Sequence, residues 1–131
     1  METRLSMSFL AEPNDANFSG NVHGGKVMKW IDEIGYALSV MYSKKYCVTK
    51  FVDDIEFLKP IHIGDLVRLD AEIIKIGKTS LRIRVDVSST NLIKNETKKN
   101  CACFIVFVAL DKKGKKTSLP KMKGALSKKS K

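Results

Sequence analysis

The stretch GNVHGGKVMKWIDEIGYALSVMYS, residues 20–43, holds the one strongly periodic helical pattern in the chain. From Gly25 to Ser43, large apolar residues recur at the spacing of one broad helix face, namely Val27, Trp30, Ile31, Ile34, Leu38 and Met41. The polar residues form only a narrow edge, so we expect this helix to be covered on most sides. Two features are unusual. The helix opens with two glycines, which helices disfavour, and it carries an acid, Asp32, within its apolar part.

The rest of the chain contains no second amphipathic helix and reads as a series of strands. Apolar and polar residues alternate in runs 66–76 and 80–89, and the short IGKTS turn between these runs predicts a hairpin. Run 101–110 is apolar at every position, which is typical of a strand with both faces buried. Further strands are predicted at 4–10 and 46–58.

This order of elements predicts an α+β fold in which one long central helix is wrapped by a curled antiparallel β-sheet. The helix would be roughly 28 Å long, which matches strands of about ten residues. We expect the polar segment 90–100 to be a connection between strands. The sheet has a second face and two edges, and run 101–110 needs cover on that outer face or edge. We therefore expect at least a dimer.

The positive charge of the chain is concentrated at its C-terminal end. The net charge is +10, but residues 1–110 hold 15 basic and 13 acidic residues, whereas residues 111–131 hold nine lysines and one aspartate. We therefore divide the chain into one domain, residues 1–112, and a lysine-rich tail, residues 113–131, that should be at least partly disordered. The tail either serves solubility or attracts an anionic partner. No nucleic-acid recognition module accompanies it, so we expect no nucleic-acid partner.

Other features of the composition indicate a cytoplasmic protein. No apolar run approaches the roughly 18 to 20 residues of a membrane span, and the first residues lack the apolar stretch of a secretory signal. The three cysteines, Cys47, Cys101 and Cys103, are expected to be reduced thiols, with Cys101 and Cys103 on one face of a strand. They do not form the C-x-x-C pairs of a zinc site, so we expect no metal.

Three segments of the chain form distinctive motifs, namely PNDANFSGNVHGGKVMKWIDEIG, FLKPIHIGDLV and GKTSLRIRV. They resemble the acyl-CoA thioesterase branch of the hotdog superfamily, which includes bacterial short- and medium-chain acyl-CoA hydrolases and brain-type cytosolic acyl-CoA hydrolases. The resemblance spans about residues 5–112. It implies the hotdog fold and an enzyme that hydrolyses acyl-CoA to a free acid and CoA, without a metal or other cofactor beyond the CoA of the substrate.

The resemblance also implies two catalytic residues and an oligomer. Asp32 in WIDEIG occupies the position of the catalytic carboxylate of the family, and Asn21 in GNVHGG matches an asparagine that assists it. Single-domain members of the family form dimers and often trimers of dimers. A homodimer is therefore the expected minimum unit, with Asp32 of one subunit facing Asn21 of its neighbour.

The glycines and the acid are compatible with thioester chemistry. The first turn of a helix has amides without intrahelical partners and a partial positive charge, so Gly24 and Gly25 would let a thioester carbonyl approach as in an oxyanion hole. Asp32 would then act as a general base for water or as a nucleophile that forms a transient anhydride. We interpret His23, between them and Asn21, as a residue of the pocket wall.

The turn formed by Gly77, Lys78, Thr79 and Ser80 offers a lysine and two hydroxyl groups to CoA phosphates, and members of the family use this hairpin region near CoA. Two alternatives keep the same fold. One is a dehydratase acting on a 3-hydroxyacyl thioester, and the other is a non-enzymatic module that binds or senses acyl-CoA. The sequence does not fix the length of the acyl chain.

Overall fold

A computed structural model describes residues 3–121 of the chain. One long helix and five strands make up these residues, together with a short 3-10 helix at Pro13–Asp15. In chain order the main elements are β1 (Arg4–Leu10), α1 (Gly24–Ser43), β2 (Tyr46–Phe57), β3 (Leu66–Ile76), β4 (Ser80–Asn91) and β5 (Glu96–Leu110).

The five strands form one antiparallel sheet in the order β1-β3-β4-β5-β2, which curls along α1. The predicted hotdog architecture, with its central helix and wrapping sheet, is confirmed. The predicted hairpin is also present, because Gly77 donates its amide to the Ser80 carbonyl at 2.7 Å and β3 pairs with β4. Strands β1 and β2 are the two edges of the sheet.

The apolar stripe of α1 packs on the inward-facing side of the sheet. Ile31, Ile34 and Leu38 are fully buried, and so are the alternating apolar residues of β3 and β4. Gly35 allows the closest approach, since a Cβ there would lie 2.5 Å from the ring of Phe107 on β5. Burial of a side chain such as Ile34 stabilises the fold by roughly 1.5–3 kcal/mol, so this row of contacts fixes the helix along the sheet.

Strand β5 is longer than the apolar run that predicts it. The pairs Thr90 with Thr97 and Asn91 with Glu96 extend the β4–β5 hairpin, and only residues 92–95 form the turn. The expectation that residues 90–100 are a plain connection is therefore wrong. The physical reason is that this end of the hairpin projects beyond the cover of α1, so its residues are polar on both faces and show no alternation.

The apolar run within β5 lies in the interior of the sheet, between β4 and β2. Its inward-facing residues are almost fully buried, and on its outer face Val106 and Val108 are also buried. Phe104, on the same outer face, is half-buried beneath the guanidinium of Arg82, which lies 4.7 Å from the ring centroid. The remaining outer-face positions of the run are half-buried.

A segment after β5 folds back onto the domain. Thr117 and Leu119 donate their amides to the carbonyls of Ala109 and Lys78, at 2.9 Å each, and the Leu119 side chain joins the core. The Tyr42 hydroxyl donates to the Pro120 carbonyl. Part of the sequence assigned to the lysine-rich tail therefore contacts both the end of α1 and the β3–β4 turn. Residues 122–131 of the predicted tail lie outside the described residues.

The three cysteines are free and buried. Burial raises the pKa of each thiol, that of Cys103 to about 12. The thiolate is the reactive form of cysteine, so an aromatic disulfide reagent should label none of them in the native protein within minutes and all three after unfolding. Absorbance of the released thiolate measures this. Rapid labelling of native protein, at even one thiol per chain, would contradict the burial described.

Candidate active site

Helix α1 begins with amides that are free to bind a ligand. The amides of Lys26 and Val27 donate to the His23 carbonyl at 3.0 and 3.1 Å, but those of Gly24 and Gly25 have no acceptor among the described residues. His23, the residue before the helix, makes no side-chain capping bond. This end of the helix therefore presents two N–H groups and a partial positive charge to an incoming carbonyl oxygen.

Within residues 3–121, no contact requires glycine at positions 24 and 25. Neither residue has a positive φ. A Cβ on Gly25 would meet no heavy atom within 4 Å, and a Cβ on Gly24 would meet the Phe57 ring only at an ordinary 3.8 Å. Glycine lowers helix stability by roughly 1 kcal/mol relative to alanine. The presence of glycine at both positions therefore indicates that a ligand or a second copy of the chain requires the absence of a side chain there.

A tightly bonded loop leads into this end of the helix. Asn17 Oδ1 accepts the amides of Ser19 and Asn21 at 3.0 and 3.2 Å, and the Asn17 amide donates to the Asn21 carbonyl at 2.7 Å. Gly20, with φ of 85°, takes the turn position that favours glycine. The loop thus fixes Asn17 and Asn21 next to each other. The Asn21 side chain makes no hydrogen bond to any other described residue, which leaves its amide free to act.

A buried acid anchors the same loop to the helix. Asp15 Oδ2 accepts the Glu12 amide at 2.9 Å, its backbone carbonyl accepts the His23 amide at 3.0 Å, and Lys26 Nζ lies 3.4 Å from Oδ1. His23 itself is exposed. Asn21, His23, Gly24 and Gly25 therefore lie together at the start of α1.

Asp32 lies further along α1, and its carboxylate is exposed rather than sealed in the core. The Thr49 hydroxyl on β2 donates to Asp32 Oδ1 at 2.5 Å. A β-bulge follows at once, since the pairing with β5 shifts register between Thr49 and Phe51. Such bulges re-aim side chains at functional sites. Thr49 was not predicted as a site residue, because a threonine in an irregular strand carries no signal in the sequence.

The described residues of one chain do not bring all the predicted site residues together. Asp32 follows Gly25 by almost two helical turns, a rise of roughly 10 Å. The Gly77–Ser80 turn lies at the opposite end of α1, because Ser80 pairs with Val108, whereas Gly24 lies near Phe57, which pairs with Cys101. The glycine amides thus lie at the start of α1, Asp32 lies near its middle, and the Gly77–Ser80 turn lies beside its end.

A cavity of about 290 Å³ opens beside Gly24. Its wall is mostly apolar and is formed by the start of α1, the end of β2 and the loop that follows β2. The residues that line it include Val22, Val27, Phe57, Pro60, Ile61, Asn100 and Cys101. An apolar cleft next to free helix amides can hold the hydrocarbon part of a ligand whose polar head meets those amides.

Among residues 3–121, no group of three or more histidine, cysteine or acidic side chains is placed to hold a metal ion. Within the same range no helix has both the length and the apolar character that crossing a bilayer demands.

Residues 19–93 match the family described as the Thioesterase superfamily. Among sequence relatives, the chain is 33% identical over 121 residues to the uncharacterized acyl-CoA thioester hydrolase YkhA of Bacillus subtilis. That match covers 92% of this chain and 70% of the relative.

Solved structures of similar proteins have the same architecture. An apo-hexameric acyl-CoA thioesterase has a TM-score of 0.86 and 32% identity, over 89% of this chain and 75% of its own. An acyl-CoA hydrolase from Staphylococcus aureus, in complex with butyryl coenzyme A, coenzyme A and coenzyme A disulfide, has a TM-score of 0.84 and 28% identity, over 89% and 71%. Alanine variants of that protein, at one asparagine, one aspartate and one threonine, have also been solved.

Proposed function

The chain belongs to the thioesterase superfamily, and from this premise we propose that it hydrolyses acyl-CoA thioesters to a free carboxylic acid and CoA. The observation that carries the proposal is the geometry of α1, whose exposed Asp32 is oriented by Thr49 and whose first two amides are free. The similarity to acyl-CoA thioester hydrolases in sequence and in structure supports the same substrate class.

The proposed reaction uses only groups of the protein and water. The thioester oxygen accepts hydrogen bonds from the Gly24 and Gly25 amides, which stabilise the oxyanion of the tetrahedral intermediate. Asp32 removes a proton from water while the water oxygen bonds to the carbonyl carbon. The carbon–sulfur bond then breaks, and the departing CoA sulfur takes the proton from Asp32. No cofactor takes part, since CoA is a portion of the substrate.

Direct attack by Asp32 is the second route. The carboxylate would form an anhydride with the acyl group, and water would then hydrolyse it. A single turnover in ¹⁸O-water identifies the anhydride route if the label enters Asp32, because water has then attacked the aspartyl carbon. Label in the released acid alone is the result of the base route and also of water attack on the acyl carbon of the anhydride.

We further propose that Asn17 shares the amide role predicted for Asn21. In the Staphylococcus aureus hydrolase, the substituted aspartate follows the asparagine by 15 residues and precedes the threonine by 17. In this chain Asn17 and Thr49 stand at those distances from Asp32. Asn17 Oδ1 is used within the loop, but its NH₂ group remains available to a carbonyl oxygen or to water. Comparing Asn17→Ala with Asn21→Ala would assign the role.

A complete site in this proposal requires two copies of the chain. Edge strand β2 carries Thr49 and a row of exposed apolar residues, and two such edges pair antiparallel about a two-fold axis. That pairing runs the two helices in opposite directions, so the loop before one helix approaches Asp32 of the other. The same pairing allows CoA to contact the Gly77–Ser80 turn of one chain while the thioester contacts the Gly24 and Gly25 amides of the other. A homodimer is the proposed minimum, and the hexameric neighbour favours a trimer of dimers.

A charged substitution on edge strand β2 tests whether the chain forms this dimer. Phe51 is an exposed aromatic residue next to the bulge. A glutamate at this position should be tolerated in a monomer but not in a closely packed apolar interface. We expect Phe51→Glu to shift the mass measured by light scattering toward the monomer and to lower activity with it. Met7→Glu, on the opposite edge strand β1, is the matched control and should change neither. A monomeric wild-type protein with full activity would contradict the shared site.

Hydrolysis is tested by release of free thiol from acyl-CoAs of increasing chain length, from acetyl to palmitoyl. Turnover with one or more chain lengths supports the hydrolase and measures the depth of the acyl pocket. A dehydratase acting on 3-hydroxybutyryl-CoA would instead form the unsaturated thioester without releasing thiol. Binding of acyl-CoA without any conversion would favour a sensor.

A further inference from the structure

A second open cavity, of about 360 Å³, lies at the end of α1 that is opposite Gly24. Lys44 caps the helix at this end, and Tyr46 begins β2 two residues later. Three lysines, one aromatic ring and one acid are among the residues that line the cavity, namely Lys44, Lys45, Tyr46, Asp111 and Lys112. None of them belongs to the candidate site described above.

The lysines of this cavity form no ion pair within the described part of the chain. Lys44 and Lys112 are exposed. Lys45 is half-buried, and its Nζ donates a hydrogen bond to the Ser118 carbonyl. That bond holds the ammonium group in place and leaves two of its three N–H groups available. The cavity therefore presents three cationic groups to a ligand.

The one acid of the lining already accepts hydrogen bonds from the backbone. Asp111 Oδ1 accepts the amides of Lys113 and Lys115 at 2.8 and 3.0 Å, and it forms no ion pair with the lysines of the cavity. Three ammonium groups against one carboxylate leave the lining positive, so an anionic ligand is attracted to it.

The cavity lies beside the turn that is proposed to contact CoA. Ala109 links the two, because its amide donates to the Thr79 carbonyl and its carbonyl accepts the amide of Thr117, at 2.9 Å each. Thr79 belongs to the Gly77–Ser80 turn, and Thr117 lines the cavity. The exposed Lys78 of the turn adds a further positive charge at this end of the domain.

The distance from Asp32 to this cavity suits the pantetheine arm of CoA. The helix rises about 18 Å between Asp32 and Lys44, and the extended arm that joins the sulfur of CoA to its phosphates has a similar length. Tyr36 lies one turn after Asp32, and the centroid of its ring is 6.2 Å from that of Tyr46. Both rings are exposed, so an aromatic surface extends from the acid toward the lysines.

We propose that this cavity binds the phosphate groups of CoA, with Lys44, Lys45 and Lys112 as their cationic contacts. The inference rests on the proposed function and adds a source of specificity for the carrier of the acyl group. With the thioester sulfur near Asp32, the pantetheine arm runs along the two tyrosine rings and the phosphates reach the ammonium groups. Such hydrogen bonds between charged groups are stronger than neutral ones. A thioester of pantetheine, which lacks the nucleotide, forgoes them.

Binding of CoA tests the proposal without requiring turnover. Lys44→Gln combined with Lys112→Gln removes two charges from exposed side chains, so the melting temperature should be unchanged. We expect the Kd of CoA, measured by calorimetry at low ionic strength, to rise about tenfold. The difference from wild-type protein should shrink as salt is added, because salt screens exposed charges.

A second double variant is the matched control. Lys94→Gln combined with Lys98→Gln removes the same charge from the β4–β5 hairpin, which lies beyond the opposite end of α1. These two lysines line a different cavity. The control variant should keep the wild-type affinity for CoA.

Hydrolysis of two thioesters with the same acyl group gives an independent measurement. One is the CoA thioester and the other is the pantetheine thioester, which has no phosphate. For the CoA thioester, Lys44→Gln with Lys112→Gln should raise KM about tenfold and leave kcat unchanged. For the pantetheine thioester, kcat/KM should equal that of wild-type protein. Structural damage would instead lower kcat/KM for both.

The outcomes separate this inference from the proposed function. Equal affinity of wild-type protein and the Lys44→Gln, Lys112→Gln variant for CoA overturns it, even if acyl-CoAs are hydrolysed. Equal losses in both double variants also overturn it, because general attraction then explains binding. If only binding to phosphatidylserine vesicles is lost, the lysines serve a membrane surface instead. A tenfold loss of CoA affinity without thiol release from any acyl-CoA supports the cavity but refutes the hydrolase. Failure of CoA to bind wild-type protein overturns both.

Discussion

Replacing Asp32 with asparagine should lower kcat for acyl-CoA hydrolysis by about 10²- to 10⁴-fold, the range expected when a general base is lost. Asparagine has the shape of aspartate and can still accept the hydrogen bond from the Thr49 hydroxyl. It cannot take a proton from water or form an anhydride. Because the carboxylate is exposed and forms no ion pair among the described residues, the fold and the oligomer should be unchanged. Thiol release at saturating substrate measures kcat.

Glu33 provides the matched control for this variant. It is the next residue of the helix, is also acidic and is exposed. Glu33→Gln should retain wild-type kcat, which excludes a general effect of charge removal. Thr49→Val tests the orientation of the carboxylate and should lower kcat less than Asp32→Asn does, since the base itself remains. Full activity of Asp32→Asn, with unchanged mass and melting temperature, would refute the catalytic assignment.

Ending the chain after Asp111 should lower the melting temperature by about 10 °C or more. The deletion removes the buried Leu119 side chain, worth roughly 1.5–3 kcal/mol. It also removes the bonds of Thr117 to Ala109 and of Leu119 to Lys78, each worth about 1 kcal/mol. In a domain of this size 1 kcal/mol corresponds to a few degrees. Thermal unfolding followed by circular dichroism measures the shift.

A chain ending after Lys121 is the control, since it keeps every contact described for this segment. Its melting temperature should match that of the full chain. The bond to the Lys78 carbonyl also supports the turn proposed to hold CoA, so the shorter chain should bind CoA more weakly as well. If both truncated proteins unfold at the same temperature, the segment that follows β5 contributes nothing to the stability of the domain.

The fold could be predicted because the apolar residues of the sequence recur with the period of a helix in one segment and with the period of a strand in others. The stripe of α1 has the spacing of a helix, and apolar and polar residues alternate over residues 67–73 of β3 and 80–87 of β4. Both patterns arise from burial on one face, and burial dominates the energy of folding. Where residues are exposed on both faces, as at the start of β5, the pattern disappears and the strand was missed.

The site could be predicted only in part, for a related reason. Glycines at the start of a helix and an acid in its apolar part are exceptions to local rules, so Gly24, Gly25 and Asp32 stand out. Thr49 breaks no rule, and its contact with Asp32 depends on how β2 lies beside the helix. Asn100 is read as part of a polar connection until a bulge of β5 turns its side chain inward.

The placement of Asp32 midway along α1, two turns from the free amides at its start, has a genetic consequence. If each reaction centre takes the acid from one polypeptide and the amides with their neighbouring asparagines from another, two differently damaged chains can rescue each other. Mixing Asp32→Asn with Asn17→Ala, each nearly inactive alone, would create heterodimers with one intact centre and one doubly damaged centre. Activity regained on mixing would reveal the exchange, and such rescue could also occur between two alleles in a single cell.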